Sequence, residues 1–172
     1  MTLATIVLAL VTLERLIELW IARANTARLL AAGGQEHAPG HYRAIVLLHA
    51  AWLAGLWVLA RDAPVQTGWL VAFLGLQAVR IWVLATLGRR WTTRIIVVPG
   101  ERLEQSGPYR YVAHPNYLVV VGEIAVLPLA LSMPLYALVF SILNAAVLTV
   151  RIRAENAALD SAVRRSPSRG SQ

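Results

Sequence analysis

Long runs of apolar residues, separated by short polar connections, dominate the hydropathy pattern of this chain of 172 residues. A helix that crosses a bilayer needs about 20 mostly apolar residues, within a range of roughly 17–25. The first and third runs have this length, the second and fifth are at its lower limit, and the fourth is short. The pattern predicts five membrane-spanning helices, at 2–21, 44–60, 68–87, 117–131 and 134–150.

Two of these runs carry additional local information. The fourth and fifth are joined only by Ser132-Met133-Pro134, which predicts a tight helical hairpin. The first run does not look like a signal peptide, because no positive charge precedes it and three charged residues interrupt its second half. We therefore expect it to be a retained helix. The interrupting residues are Glu14, Arg15 and Glu18.

The composition excludes most soluble classes of protein. Hydrophobic residues make up 58% of the chain and charged residues 15%, whereas an ordinary soluble domain has about 25% charged residues. The absence of cysteine excludes a disulfide scaffold, a thiolate zinc site and a cysteine nucleophile. The prediction is an all-α integral membrane protein with a single embedded domain over residues 1–160. A tail over 161–172, rich in Ser, Arg, Pro and Gly, is predicted to be disordered.

The net charge is +7, and all 16 basic residues are arginines, since the chain contains no lysine. The arginines concentrate in the connections 22–43 and 88–116 and in the tail, while the opposite side carries only Arg61, beside Asp62. The positive-inside rule assigns the arginine-rich segments to the cytoplasm. Five crossings then predict an external N-terminus and a cytoplasmic C-terminus, and a nucleic-acid partner is not needed to explain the charge.

Several ionisable residues fall inside the predicted spans, where charge is costly and indicates a function by default. One interpretation is a polar cavity that opens toward the cytoplasm. The other is a set of structural ion pairs, which we favour for Glu14, Glu18 and Arg80. The full set is Glu14, Arg15, Glu18, Arg80, Glu123 and Arg151.

Familiar metal and cofactor motifs do not occur in the chain. His37 and His41 are four residues apart, but Pro39-Gly40 lies between them, so no metal site is predicted. A glycine-rich nucleotide fingerprint, a Walker loop and a serine nucleophile elbow are also missing.

The connection before the fourth run is rich in groups that could bind a ligand. Residues 95–98 are β-branched and predicted to be extended, and Gly107-Pro108 predicts a turn. Pro115 suits the first turn of a helix, which places His114 at the mouth of the fourth span. Composition alone favours an interfacial aromatic loop over a ligand site. The two motifs are Gly107-Pro108-Tyr109-Arg110-Tyr111 and His114-Pro115-Asn116-Tyr117.

Together with Arg151-Ile152-Arg153-Ala154-Glu155-Asn156 and the leucine at 159, these motifs resemble the isoprenylcysteine carboxyl methyltransferase family, in a compact bacterial branch. The resemblance implies an integral membrane enzyme of the bacterial inner (plasma) membrane that uses S-adenosylmethionine. Two departures stand out: Ala113 precedes His114 where the family often has arginine nearby, and Asn156 replaces the second acid of the C-terminal element.

The resemblance also implies roles for individual residues. Arg151 and Glu155 are the catalytic candidates; they share one helix face, and Arg151 is expected to grip an anionic oxygen bidentately. Without such a role they would form a surface salt bridge of little energetic value. The cofactor is expected to be bound by Gly107, Tyr109, Tyr111, His114, Pro115, Asn116 and Tyr117.

The resemblance thus implies an S-adenosylmethionine-dependent O-methyltransferase that acts on a lipophilic, isoprenylcysteine-like carboxylate entering from the bilayer. One alternative is methylation of the hydroxyl of a long-chain polyketide pyrone or phenol, or of a phospholipid amine. A second alternative is a non-catalytic membrane transporter or assembly protein that uses Glu14, Glu18 and Glu123 as an ion path. Membrane lipid is an expected partner in each case, and no metal is expected.

Overall fold

The computed structural model describes residues 1–37, 39–99 and 104–165. Within them it contains five α-helices, two 3₁₀ turns and one short β-ribbon. Each predicted span lies within a single helix or at its edge, and the predicted all-α membrane fold is confirmed. The strands, β1 (Gln35–His37) and β2 (Ile95–Val97), pair antiparallel. The helices are α1 (Leu3–Ala31), α2 (Pro39–Leu59), α3 (Thr67–Leu87), α4 (Pro115–Ala130) and α5 (Pro134–Arg165).

Three of the helices are long and apolar enough to cross a membrane. Their candidate spans are Tyr42–Leu59 in α2, Thr67–Arg90 from α3 onward, and Pro134–Ala158 in α5. α4 is a shorter apolar helix of 16 residues, and α1 has 29 residues but carries three charges in its middle. Full crossing by α1 and α4, and the orientation of the bundle, therefore stay predictions.

The predicted hairpin between α4 and α5 is confirmed, and hydrogen bonds hold its turn in place. The backbone N–H of Met133 donates to the carbonyl of Pro128 at 2.8 Å, and Ser132 adopts a positive φ of 59°. The Ser132 hydroxyl donates to the Pro64 carbonyl at 2.9 Å, and the Gln66 amide donates to that hydroxyl at 3.1 Å. The turn is thus tied to the connection between α2 and α3.

The apolar core lies toward this same end of the bundle and draws side chains from α1, α2, α3 and α4. Many other large apolar side chains are exposed on the outer surface, as expected for helices that face lipid rather than water. Leu47, Val58 and Leu135, for example, are 68%, 76% and 71% exposed. The buried core consists of Ala4, Leu8, Val11, Trp52, Leu56, Ala60, Phe73, Ile124, Leu127 and Leu131.

The charges within α1, α3 and α4 form one buried network, which confirms the ion-pair interpretation. Arg80 lies between Glu18 and Glu123, with its Nη2 2.7 Å from a Glu18 oxygen and its Nη1 2.7 Å from a Glu123 oxygen. Its Nε also donates to Glu18. Arg15 contacts the same two carboxylates at 3.0 and 3.2 Å. The network joins three helices through side chains that are costly to leave unpaired in lipid.

α5 continues through Arg165, beyond residue 161, where the disordered tail was predicted to begin. Residues 166–172 of that predicted tail lie outside the described residues.

Candidate functional site

The turn before α4 depends on glycine at position 107. Gly107 has a φ of +54°, a conformation that favours glycine, and it opens the 3₁₀ turn Gly107–Arg110. A Cβ atom at this position would lie 3.1 Å from Thr86 Cγ2 and closer still to the Thr86 hydroxyl. α4 begins at Pro115, as predicted, with His114 in the capping position. The predicted turn therefore also packs closely against α3.

The predicted extended piece forms β2 and pairs with β1, which the sequence did not indicate. Arg94, just before β2, donates to both Glu36 oxygens at 2.8 and 3.1 Å. The Arg94 guanidinium carbon also lies 4.9 Å from the ring centroid of Tyr42. This cluster fastens the start of α2 to the strand beside the site.

The end of α1 holds the segment that follows α3. The Asn25 amide donates to the carbonyls of Gly88 at 3.2 Å and Trp91 at 2.8 Å. The hydroxyls of Thr26 and Thr92 are 2.8 Å apart and share a hydrogen bond. Asn25 is buried, and these bonds fix the segment 88–92 against the end of α1.

A cavity of about 460 Å³ opens among these elements, a volume typical of small-molecule sites. One part of its wall is apolar, with side chains from the ends of α1 and α3 and from β2. The other part is polar and contains three arginines and two glutamates: Arg90, Arg94, Arg151, Glu104 and Glu155. Of the nine predicted site residues, the structure brings six to this wall: Tyr109, His114, Asn116, Tyr117, Arg151 and Glu155.

The other three predicted site residues lie elsewhere. Gly107 shapes the turn behind the cavity, and Pro115 is buried as the first residue of α4. Tyr111 is 74% exposed and lies outside the cavity lining. The motif therefore supplies structural residues as well as residues that can meet a ligand.

Arg151 is buried and held on two sides. Its Nε donates to the Tyr117 hydroxyl at 2.9 Å, and its Nη2 donates to the Thr93 carbonyl at 2.8 Å. Only 9% of the residue is exposed, so it does not belong to an exposed surface salt bridge. The Tyr117 hydroxyl also bonds to Glu155. The expected pairing of Arg151 with Glu155 is thus bridged by a tyrosine from α4.

Two stacked rings, a tyrosine hydroxyl and a carboxylate complete the polar wall. The rings of His114 and Tyr117 stack, with centroids 5.2 Å apart and planes at 22°. Burial, together with the nearby negative charge of Glu155, raises the pKa of Tyr109 to about 12, so its hydroxyl is a neutral donor at physiological pH. The Ser106 hydroxyl and N–H donate to Glu104 and lower the pKa of that carboxyl.

Two buried polar atoms beside the cavity have no partner within the part of the chain that the structure describes. They are Asn116 Oδ1, an acceptor, and Trp91 Nε1, a donor. Leaving such a group unsatisfied costs about 1–3 kcal/mol, so a ligand that bonds to both would recover that energy. Trp91 follows the third predicted span closely, where tryptophan is common at a membrane interface, so its position alone does not mark it as a site residue.

Sequence reasoning also missed cavity residues that no motif marks. Gln105 and Glu104 precede the Gly107 motif, and Asn156 was noted only as a departure from the family pattern. Thr93 contributes through its backbone carbonyl, for which the amino-acid sequence carries no signal.

Comparison with known proteins bears on the same region. The model of the isoprenylcysteine carboxyl methyltransferase (ICMT) family matches residues 69–161, which contain most of α3, all of α4, most of α5 and the polar cavity wall. An uncharacterized protein of Bacillus subtilis (strain 168), YpbQ, is 38% identical over 159 residues, covering 90% of this chain and 95% of the relative. An uncharacterized protein of Haemophilus influenzae is 31% identical over 83 residues, 48% of each chain. No solved structure matches at comparable significance.

Proposed function

Because the chain belongs to the isoprenylcysteine carboxyl methyltransferase family, whose members are membrane methyltransferases, we propose that it is an S-adenosylmethionine-dependent O-methyltransferase of the bacterial inner membrane. The proposed acceptor is a lipophilic carboxylate that enters from the bilayer. One observation carries the proposal: the buried Arg151 and the aromatic motif of α4 meet at the same cavity.

The residues of the cavity fit the chemistry of this cofactor. When bound, S-adenosylmethionine supplies a methyl group activated by a sulfonium cation. The carboxylates of Glu104 and Glu155 can receive its cationic or hydroxyl groups, and the stacked His114 and Tyr117 offer aromatic faces, which attract cations. Asn116 Oδ1 and the Trp91 N–H supply an acceptor and a donor that have no hydrogen-bond partner among the described residues.

Arg151 is the residue proposed to hold the acceptor. Within the described residues, Tyr117 and Thr93 use two of its five N–H groups. The other three can bond an anionic oxygen, and such charge-assisted bonds are strong. A carboxylate is already ionised at neutral pH, so its methylation does not require a base. The chain would then contribute by fixing the oxygen in place and excluding water.

The charge of the wall also bears on the alternatives. Arg94 and Arg90 are paired with Glu36 and Glu104, whereas the guanidinium of Arg151 bonds only neutral oxygens among the described residues and therefore favours an anionic head over the ammonium of a phospholipid amine. A deprotonated long-chain phenol or pyrone would satisfy the same residues and is the second candidate. The ion-path alternative is less well supported, because Arg80 and Arg15 already occupy the carboxylates it would need.

Calorimetric titration of S-adenosylhomocysteine into the detergent-solubilised protein tests the cofactor. We expect saturable binding, weakened roughly 5- to 150-fold by His114→Ala, as for the loss of a buried hydrogen bond of about 1–3 kcal/mol. A folded wild-type protein that gives no binding heat would contradict the proposal.

Tritiated-methyl transfer in membranes tests the acceptor, with a panel of lipophilic carboxylates, long-chain phenols and phospholipid amines. Label on the carboxylates supports the leading candidate. Label confined to phenols or to amines would assign the enzyme to the corresponding alternative. Tyr136→Phe is the control variant, since it removes a half-buried tyrosine hydroxyl bond, to the Trp52 carbonyl at 2.8 Å, outside the cavity lining.

A further inference from the structure

The hydroxyl of Tyr117 lies between two oppositely charged groups that are placed to meet each other. Arg151 and Glu155 are four residues apart on α5 and share one face. Arg151 Nε donates to the Tyr117 oxygen at 2.9 Å, and the Tyr117 hydroxyl bonds to Glu155. The directions are fixed, because a guanidinium only donates and a carboxylate only accepts.

The rest of the Tyr117 side chain is held independently of this hydroxyl. Its ring stacks on His114 at 5.2 Å, and its backbone belongs to the first turn of α4. Arg151 has a second anchor in the Thr93 carbonyl at 2.8 Å. The guanidinium carbon of Arg151 also lies 5.7 Å from the centroid of the Tyr117 ring. Removing the hydroxyl alone should therefore leave the ring in place and take one hydrogen-bond partner from each charged group.

We propose that Tyr117 is a positioning residue, whose hydroxyl keeps the Arg151 guanidinium from closing onto Glu155 and holds it toward the cavity. Without that hydroxyl, Arg151 Nε and a Glu155 oxygen both lose a partner at a mostly buried place. The attraction between unit charges rises steeply at short distance and low dielectric, so the two groups would pair directly. A guanidinium neutralised in this way is a poorer ligand for an anionic acceptor.

This role differs from the cofactor contact that the sequence suggested for Tyr117. Only its expected effect on the kinetics rests on the proposed function. In Tyr117→Phe we expect kcat/KM for the acceptor to fall roughly 10- to 150-fold, as for a hydrogen bond to a charged group, with a raised acceptor KM. S-adenosylhomocysteine affinity should stay within about threefold, because phenylalanine keeps the aromatic face proposed to meet the cofactor and removes only the hydroxyl.

A second substitution separates this role from simple damage. In Tyr117→Phe/Glu155→Gln the carboxylate charge at position 155 is gone, so Arg151 can no longer pair with it. The acceptor KM should return toward the wild-type value, even if turnover stays low. An acceptor KM that rises further in the double variant would overturn the proposal.

A structural readout makes the test independent of activity. In full-length protein labelled with ¹⁵N-arginine in detergent, the Nε–H resonance of Arg151 is assigned by its loss in Arg151→Lys. We expect Tyr117→Phe to shift this resonance, the double variant to shift it differently, and Tyr136→Phe to leave it unchanged.

The failures of the two proposals are distinguishable. Absence of S-adenosylhomocysteine binding by the wild type contradicts the cofactor, whatever Arg151 does. Binding of S-adenosylhomocysteine, together with an unshifted Arg151 resonance and an unchanged acceptor KM in Tyr117→Phe, overturns only the positioning role. If Tyr117→Phe does not fold, Glu155→Gln alone replaces it in the test. The Tyr117 hydroxyl can still bond the amide oxygen of the glutamine and hold Arg151, so a large shift of the Arg151 resonance would contradict the positioning role.

Discussion

Loss of the Arg80 guanidinium should destabilise the helical bundle strongly. Arg80→Gln removes the group that bonds Glu18 and Glu123, which are only 6% and 4% exposed. The two carboxylates would keep only Arg15, which also lies 3.3 Å from Glu14. One guanidinium would then face three carboxylates inside the bundle.

The magnitude follows from the burial of the partners. Removing one member of a buried ion pair costs about 3–5 kcal/mol, because the remaining charge is left uncompensated. At about 2–4 °C per kcal/mol for a chain of this size, the unfolding midpoint should fall by roughly 6–20 °C. The matched control is Arg61→Gln, since Arg61 pairs with Asp62 while both side chains are 68% exposed. Such an exposed pair contributes about 0–1 kcal/mol.

Far-UV circular dichroism of the detergent-solubilised variants against temperature measures both midpoints. Equal midpoints for Arg80→Gln and Arg61→Gln would refute the reasoning. The triple variant Glu18→Gln/Arg80→Met/Glu123→Gln leaves only the Arg15 and Glu14 pair and should recover most of the loss, since a buried ion network replaced by neutral groups is often energetically neutral. A triple variant as unstable as Arg80→Gln would attribute the effect to packing instead of charge.

Three further predictions concern the site and the orientation. Gly107→Ala should weaken S-adenosylhomocysteine binding more than Gly33→Ala, because both glycines have positive φ but only the Gly107 position would bring a Cβ against Thr86; equal effects would contradict this. Arg151→Lys should lose about a hundredfold in methyl transfer while keeping cofactor affinity, since a misplaced reacting atom costs about that much; near-normal turnover would place the acceptor elsewhere. In this cysteine-free chain, a cysteine at position 62 should react with an impermeant reagent from outside the cell and one at 105 should not, and the reverse pattern would invert the orientation.

Local signals in the sequence predicted the elements that local chemistry determines. Pro115 marks the start of α4, Gly107 the turn before it, and Ser132 the hairpin between α4 and α5, all of which the structure contains. Proline fixes φ at a helix start, and glycine permits the positive φ of a tight turn. These features depend on a few neighbouring residues, so one sequence is enough to predict them.

Contacts between distant parts of the chain could not be predicted in the same way. Tyr117 meets Arg151 across 34 residues of sequence, and Glu36 meets Arg94 across 58. Tyr109 and Tyr111 belong to one motif, yet the first lines the cavity and the second is exposed. Which way each ring faces depends on the packing of the turn against α3, which composition and spacing do not encode. The roles of the site residues stay predictions.

The length of α5 affects how an enzyme of this design would meet its acceptor. At about 1.5 Å per residue, Arg151 lies about 26 Å along the helix axis from Pro134, close to the full depth of a hydrocarbon core of about 30 Å. An acceptor anchored in lipid would therefore encounter Arg151 without leaving the bilayer. The rate would then depend on the mole fraction of acceptor in the membrane and not on its concentration in the total volume. Adding inert lipid at constant total volume would therefore slow methylation in the same way as removing acceptor.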